Sequence, residues 1–223
     1  NGGRALFDLA NQRNEPIPVF AEMGSNNPII ITKNAVQNQT DFWVKTIADS
    51  MLQSAGQFCT SPGIILALES EGLMHFAQKL ATTINESTPQ TMLGPSIKSA
   101  FLSQKENVIN QKGVRVLTKP YLENGLLSQP TLAMVDGSDF QNNRELQEEV
   151  FGSFILIVKC KDEDELLEIL DTLNGQLTGT FISESNEVDR HIDIVQALQN
   201  RVGRLIFNGV PTGVQVTKNM HHG

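Results

Sequence analysis

Short apolar runs alternate with longer amphipathic segments along most of the chain, and this alternation restricts the fold more than any other feature. The runs at 63–69, 154–160 and 203–208 are rich in Ile, Leu, Val and Phe, which favours strands. The segments between them place apolar residues at helical spacing. Strands joined through helices pair in parallel, and helices then cover both faces of the sheet. The sequence therefore predicts an α/β fold, a mostly parallel twisted sheet with helices on both faces.

Two more strands and a helix are predicted ahead of these runs. Apolar and β-forming residues predict strands at 17–23 and 28–32, separated by the turn formers "GSNNP". A helix is predicted to follow, with Thr40 or Asp41 capping its start and Gly56 closing its end.

Charge and composition exclude several kinds of partner. The chain has 223 residues and a net charge of −8, and no basic run stands out, which argues against nucleic acid or an anionic membrane. No apolar run approaches the roughly 20 residues of a membrane span, and the N-terminus lacks the pattern of a signal peptide. Two cysteines cannot form a disulfide framework, and neither they nor the four histidines have metal-site spacing, so no metal is predicted. A reducing, cytoplasmic location is expected.

Cys59 is the first candidate for chemistry. It lies in "GQFCTSPG", residues 56–63, directly after the predicted helix and beside a Pro-Gly break. Helix ends and tight turns expose a thiol and orient backbone N–H groups, as a nucleophile requires. The alternative is a small buried apolar residue, the commoner role of a lone cysteine, and Cys160 at the end of an apolar run fits it. No histidine near Cys59 in sequence offers an acid–base partner, and His191 is expected to be solvated.

Three carboxylates are the next candidates. Glu22 is expected at the carboxyl end of the strand at 17–23, because it follows the apolar run and precedes a Gly-Ser turn. Ligands gather at that edge of an α/β sheet. A carboxylate that faces an apolar cavity can act as a general base. Glu148 and Glu149 precede the run at 154–160, and a carboxylate there can accept two ribose hydroxyls. For each residue the alternative is a solvated surface carboxylate.

Four segments together resemble motifs of the aldehyde dehydrogenase superfamily, in the family's order. "FAEMGSNNPIII" is similar to its Glu-Leu-Gly-Gly-x-x-Pro segment, and "GQFCTSPG" to its Gly-Gln-x-Cys segment. "EEVFGS" is similar to Glu-Glu-x-Phe-Gly-Pro, and "GRLIFNG" to the late Gly-x-x-x-x-Asn segment. The first two resemble most the branch of 2,5-dioxovalerate (α-ketoglutarate semialdehyde) dehydrogenases and bacterial fatty aldehyde dehydrogenases.

The resemblance implies oxidation of a small aldehyde to a carboxylic acid, through a cysteine thiohemiacetal and a thioester. By position, Cys59 would be the nucleophile and Glu22 the base that activates water. Phe58 and Thr60 would flank the nucleophile and shape the aldehyde pocket.

The resemblance also implies a nicotinamide cofactor, NADP or NAD, with NADP favoured by the branch. Glu149 would bind the nicotinamide-side ribose, and Phe151 would pack close by. Ser25, Ser153 and the Pro62-Gly63 pair depart from the family's motifs, and these departures are expected to alter loop shape and pocket selectivity.

Family members are considerably longer than this chain, which the resemblance divides into two parts. Residues 1–22 are expected to be the tail of the cofactor-binding domain, its last helix and strand, and residues 23–223 the catalytic domain. Most of the cofactor-binding domain is expected to lie outside the chain, so these residues alone are expected to be inactive. The parent enzyme is expected to be a homodimer or homotetramer. A cofactor-independent thiol hydrolase or acyltransferase and a non-catalytic module on the same fold remain alternatives.

Overall fold

The structure, a computed structural model, describes residues 2–120 and 124–212. In chain order its strands are β1 (Ile29–Ile31), β2 (Ile64–Leu68), β3 (Gln90–Thr91), β4 (Arg115–Val116), β5 (Leu127–Ser128), β6 (Thr131–Asp136), β7 (Phe154–Cys160), β8 (Gln176–Ile182) and β9 (Val202–Phe207). Within these residues seven strands form one sheet in the order β4-β6-β7-β2-β1-β8-β9. Every neighbouring pair is parallel except β4 with β6, so the predicted mostly parallel sheet is confirmed. The end of the predicted catalytic domain lies outside the described residues.

Helices cover both faces of the sheet, as predicted. In chain order they are α1 (Gly2–Asn11), α2 (Lys33–Asn38), α3 (Thr40–Leu52), α4 (Glu71–Glu86), α5 (Pro95–Ile109), α6 (Gly137–Gln141), α7 (Glu163–Thr172) and α8 (Ile192–Gln199). Buried side chains of α2, α3 and α4 form one apolar cluster, and those of α5 to α8 form a second. The alternation along β1 separates the two clusters, because Ile29 and Ile31 face the first and Ile30 faces the second.

The start of α3 differs from the prediction. A short helix that the sequence reading missed, α2, directly precedes it, and Gln39 at the cap position makes no side-chain capping bond. Thr40 Oγ1 instead donates to the carbonyl of Val36 in the preceding helix. The predicted capping by Thr40 or Asp41 is therefore wrong.

The segment at 17–23 was predicted as a strand, and this prediction is wrong. It belongs to no helix or strand, because no strand of the described residues lies beside it to share ladder hydrogen bonds. Its apolar side chains meet solvent, with Phe20 97% exposed and Met23 57% exposed. Glu22 therefore lies in an irregular segment that leads toward β1.

His191 was expected to be solvated, and this expectation is also wrong. Its side chain is only 18% exposed, and Nδ1 lies 3.0 Å from Glu163 Oε1 at the start of α7. Its ring also contacts Phe181, with the ring centroids 6.2 Å apart. The contact with a neighbouring helix, invisible in the sequence pattern, accounts for the burial.

Residues 2–120 and 124–212 lack two kinds of feature. No helix there is both long and apolar enough to cross a membrane. No group of three or more His, Cys, Asp and Glu side chains there is arranged to hold a metal ion.

Candidate active site

Three loops that lead into neighbouring strands carry the main candidate residues. Glu22 lies ahead of β1, Cys59 ahead of β2, and Glu149 ahead of β7. These strands are adjacent in the order β7-β2-β1 and run parallel, so the loops that enter them meet at one edge of the sheet. That edge holds the amino ends of the strands. The prediction that Glu22 lies at the carboxyl edge is therefore wrong, although the candidates still converge.

The turn at Cys59 exposes its thiol. After α3 ends, a 3-10 turn covers Gln53–Gly56, and Cys59 follows it in an exposed position. Gly56 has a φ of +67°, and a Cβ there would overlap the backbone of Gly152 in the loop ahead of β7. Glycine is thus required for the conformation and for the close crossing of the two loops.

Glu22 and Cys59 are in contact. The Cys59 thiol donates a hydrogen bond to the Glu22 carboxylate. The pKa of the thiol is raised above its ordinary value, first because the sulfur is partly desolvated, and then because the charge and hydrogen bond of Glu22 favour the protonated form. The backbone N–H groups of Cys59 and Thr60 oppose this shift, since they point at the sulfur and favour the thiolate. The thiol proton thus has an acceptor in place, and the thiolate has two donors.

Cys160 occupies the opposite kind of environment. Its side chain is fully buried at the end of β7, and burial is the main reason that its pKa is raised to about 12. The charges of Glu165 and Asp162 act in the same direction. The prediction that Cys160 is a small buried apolar residue is confirmed, and its thiolate is scarce at neutral pH.

Glu149 is half-buried beside the segment of Glu22. The backbone N–H of Ser25 donates to its carboxylate, and this bond partly offsets the burial that raises the pKa of Glu149. Gly24 permits the approach, because a Cβ on Gly24 would lie 2.5 Å from Glu149 Oε2. A carboxylate has about four lone-pair sites, so acceptors remain for the hydroxyl groups of a ligand. Phe151 follows in the same loop and is half-buried.

Phe58 and Thr60 flank Cys59 in different environments. Phe58 is half-buried, whereas Thr60 is only 2% exposed, so Thr60 contributes its N–H and its packing rather than open surface. Phe58 shares a cavity of about 10 Å³ with Glu149 and Phe151. That is room for about one water molecule and far below the roughly 300 Å³ of a small-molecule pocket.

The turn formed by residues 25–27 joins the Cys59 loop ahead of β2 to the loop ahead of β7. The sequence alone did not predict this role. Asn26 Nδ2 donates to the Gln147 carbonyl at 2.6 Å, in the loop ahead of β7. Asn27 Nδ2 donates to the Cys59 carbonyl at 2.9 Å. Successive polar side chains between apolar segments were read only as turn formers, yet each reaches a different loop. The available signal in the sequence was the adjacency of two asparagines, Asn26 and Asn27, whose amide groups can both donate hydrogen bonds.

Two departures from the family's motifs have structural reasons. Ser25 is 5% exposed, and its Oγ accepts a hydrogen bond from the N–H of Leu177 in β8 at 3.0 Å. Ser153 is 1% exposed, and its Oγ donates to the Met51 carbonyl at the end of α3 at 3.1 Å. Each hydroxyl therefore ties a site loop to a neighbouring strand or helix.

The structure is therefore that of an α/β protein with a cysteine–carboxylate site. The Cys59 thiol contacts the Glu22 carboxylate, and Glu149 lies in a neighbouring loop at the same edge of the parallel sheet. The model of the aldehyde dehydrogenase family matches residues 3–223, and the chain belongs to that family. It is 35% identical over 225 residues to alpha-ketoglutaric semialdehyde dehydrogenase of Acinetobacter baylyi, covering 100% of this chain and 43% of the relative. It is 34% identical over 223 residues to alpha-ketoglutaric semialdehyde dehydrogenase 2 of Azospirillum brasilense, covering 100% of this chain and 42% of the relative. The resemblance to this family and branch is thereby confirmed, and the chain spans less than half the length of either relative.

A solved structure supports the fold. The glyceraldehyde-3-phosphate dehydrogenase GapN of Methanocaldococcus jannaschii, in a crystal structure with NADP, superposes with a TM-score of 0.76 at 19% identity. The match covers 95% of this chain and 45% of that protein. At this identity the likeness establishes the architecture and carries no residue roles.

Proposed function

We propose that the complete protein to which these residues belong oxidises an aldehyde to a carboxylic acid, with NAD or NADP as the hydride acceptor. The observation that carries the proposal is the hydrogen bond between the Cys59 thiol and the Glu22 carboxylate in a member of this family. Alpha-ketoglutaric semialdehyde is the first substrate to test, because both relatives are named for it.

In the proposed reaction Cys59 forms the covalent bond. Its proton passes to the Glu22 carboxylate and from there to solvent, which leaves Glu22 ionised for the second half of the reaction, and the sulfur attacks the carbonyl carbon to give a thiohemiacetal. The negative charge that develops on oxygen is stabilised by the Cys59 N–H. Loss of hydride from that carbon leaves a thioester on the sulfur. Glu22 then takes a proton from water, which attacks the thioester, and the carboxylic acid leaves as the thiolate of Cys59 is restored.

The loop ahead of β7 fits the proposed nicotinamide cofactor. Glu149 has free acceptor sites for two ribose hydroxyls, and the half-buried ring of Phe151 offers an apolar surface beside them. NAD or NADP, when bound, supplies the hydride acceptor. NADP remains the favoured form of the two.

Glu149→Gln is expected to raise the KM for the nucleotide about tenfold. The amide is a weaker acceptor for ribose hydroxyls than the carboxylate, and each charged hydrogen bond contributes on the order of 1.5–3 kcal/mol. Initial rates over a range of NADP and NAD concentrations measure the change. Glu148→Gln is the matched control, because this neighbouring carboxylate is exposed and is expected to leave the KM unchanged. Equal effects of both substitutions would contradict a specific role for Glu149.

The 223 residues by themselves are expected to form no NAD(P)H above background. The cavity beside Phe58 has a volume of about 10 Å³, and the predicted tail of the cofactor-binding domain exposes Leu6 by 63% and Phe20 by 97%. Such apolar surfaces are proposed to be covered in the complete protein. NAD(P)H formation from alpha-ketoglutaric semialdehyde by the isolated residues and by the complete protein, in parallel, tests both statements. Turnover by the isolated residues would contradict this expectation, and inactivity of the complete protein on all aldehydes tested would contradict the proposed function.

A cytoplasmic location and a homodimeric or homotetrameric assembly are also proposed for the complete protein. The location rests on the two cysteines, which cannot form a disulfide framework, and the assembly rests on the family resemblance. Cell fractionation and light scattering of the purified protein measure them directly, and a membrane-bound or monomeric protein would contradict them.

A further inference from the structure

Asn27 is buried beneath the Cys59 loop and holds two of its carbonyls. The residue is 1% exposed, and Nδ2 donates to the Cys59 carbonyl at 2.9 Å and to the Ser61 carbonyl at 2.8 Å. Both hydrogen atoms of the amide are thereby used within one short loop. The backbone of Asn27 has a φ of +45°, a conformation that asparagine adopts more readily than most residues.

The other end of the Asn27 side chain is anchored to the sheet. Oδ1 accepts hydrogen bonds from Thr178 Oγ1 at 2.9 Å and from the Thr178 N–H at 3.3 Å. Thr178 is 2% exposed and lies in β8, which pairs with β1. The amide group therefore bridges a fixed strand and the loop of Cys59, so its orientation is set by the sheet.

The bond to the Cys59 carbonyl also determines where the next N–H points. The carbonyl of Cys59 and the N–H of Thr60 belong to one planar peptide unit and lie on opposite sides of it. Holding the carbonyl against Asn27 therefore directs the Thr60 N–H away from Asn27. On that side lies Cys59 Sγ, toward which this N–H points.

We infer that Asn27 is a positioning residue for the reaction: it fixes the peptide plane between Cys59 and Thr60 and thereby aims the Thr60 N–H at Cys59 Sγ. Its importance for catalysis rests on the proposed function, in which Cys59 is the nucleophile. The Thr60 N–H favours the thiolate, whereas Glu22, the charged side chain in contact with the sulfur, favours the thiol. When the peptide plane is free to rotate, the thiolate loses one of its two donors.

Asn27→Gly provides the direct test, because it removes the amide without strain at a positive φ. The second-order rate constant for alkylation of Cys59 by iodoacetamide is measured against pH in the complete protein, with the modified residue identified by mass spectrometry. The midpoint of the profile is expected to rise by about half to one pH unit, equal to a roughly threefold to tenfold slower reaction near neutral pH. Asn27→Ser provides a second variant should the glycine variant fail to fold, and it should shift the midpoint in the same direction.

Thr178→Val is the matched control. It removes one of three hydrogen bonds to Asn27 Oδ1 and leaves those from the Ser25 hydroxyl at 3.0 Å and the Thr178 N–H at 3.3 Å, so the amide still holds the Cys59 carbonyl. A wild-type midpoint is expected for this variant. A folded Asn27 variant with a wild-type midpoint would overturn the inference. An equal shift of the midpoint in Thr178→Val would also overturn it, because the shift would then reflect a general loss of packing around Asn27.

The alkylation profile does not depend on aldehyde turnover, so the two proposals fail separately. The comparison is repeated in a Glu22→Gln background, where the carboxylate no longer contributes to the pKa of the thiol. The shift caused by Asn27→Gly is expected to persist there. Its disappearance would mean that Asn27 acts through Glu22 and would overturn the inference. Persistence of aldehyde oxidation in a protein without the Cys59 sulfur would instead contradict the proposed function alone.

Discussion

Cys59→Ala is expected to lower aldehyde oxidation by the complete protein by at least about 10⁴-fold. The substitution removes the sulfur that is proposed to bond to the aldehyde carbon, and the buried thiol of Cys160 cannot replace it. Cys59 is exposed on a turn, so the shorter side chain leaves no cavity, and the free energy of unfolding should change by less than about 0.5 kcal/mol. Steady-state NAD(P)H formation and thermal unfolding of the same preparation measure the two quantities.

Cys160→Ala is the control for loss of a thiol. It removes a fully buried sulfur at the end of β7, so it is expected to destabilise the protein by about 1–2 kcal/mol while activity persists. Retained activity in Cys59→Ala would contradict the nucleophile assignment. Cleavage of a thioester without added nucleotide, lost in Cys59→Ala, combined with no aldehyde oxidation in the wild type, would favour the thiol hydrolase alternative.

The central strands were predictable because they are almost completely buried on both faces. β2 is a continuous apolar run and β7 is interrupted only by Lys159, and a run of this kind has few alternatives within a helix-rich chain. The strand predicted at 17–23 has a similar composition but no neighbouring strand in the described residues. Apolar composition predicts that a segment will be covered by other parts of a protein. A strand also requires a neighbouring strand to share its backbone hydrogen bonds, and the local sequence pattern does not identify that neighbour.

The contact between Cys59 and Glu22 was predictable only through the family resemblance, which gave the two residues complementary roles in one reaction. The local pattern did not show that the loops ahead of β1 and β2 meet, and it placed Glu22 at the wrong edge of the sheet. Asn27 was not predictable in this way. Its partners lie in the loop ahead of β2 and in β8, and its importance comes from the geometry of its amide group rather than from its residue type.

Glu22→Gln is expected to separate the two halves of the proposed reaction. Glutamine cannot take a proton from water, so hydrolysis of the thioester should slow by about 10²-fold to 10⁴-fold. Formation of the thioester should still occur, because removing the charge of Glu22 removes one cause of the raised pKa of Cys59 and so leaves more thiolate near neutral pH. Rapid mixing should then show a burst of NAD(P)H of about one equivalent per active site, followed by a slow steady state.

The burst is the decisive quantity, because it distinguishes a lost base from a damaged site. A variant that misplaced Cys59 would lose both the burst and the steady-state rate. Loss of the base alone leaves the burst amplitude intact. The thioester on Cys59 can then be trapped and detected by mass spectrometry. Glu148→Gln, a change of the same chemistry at an exposed position, should show neither effect. A Glu22→Gln variant whose steady-state rate equals that of the wild type would contradict the role of Glu22 as the base. In that case the hydrogen bond to the thiol would have to serve the conformation of the loop rather than the transfer of a proton.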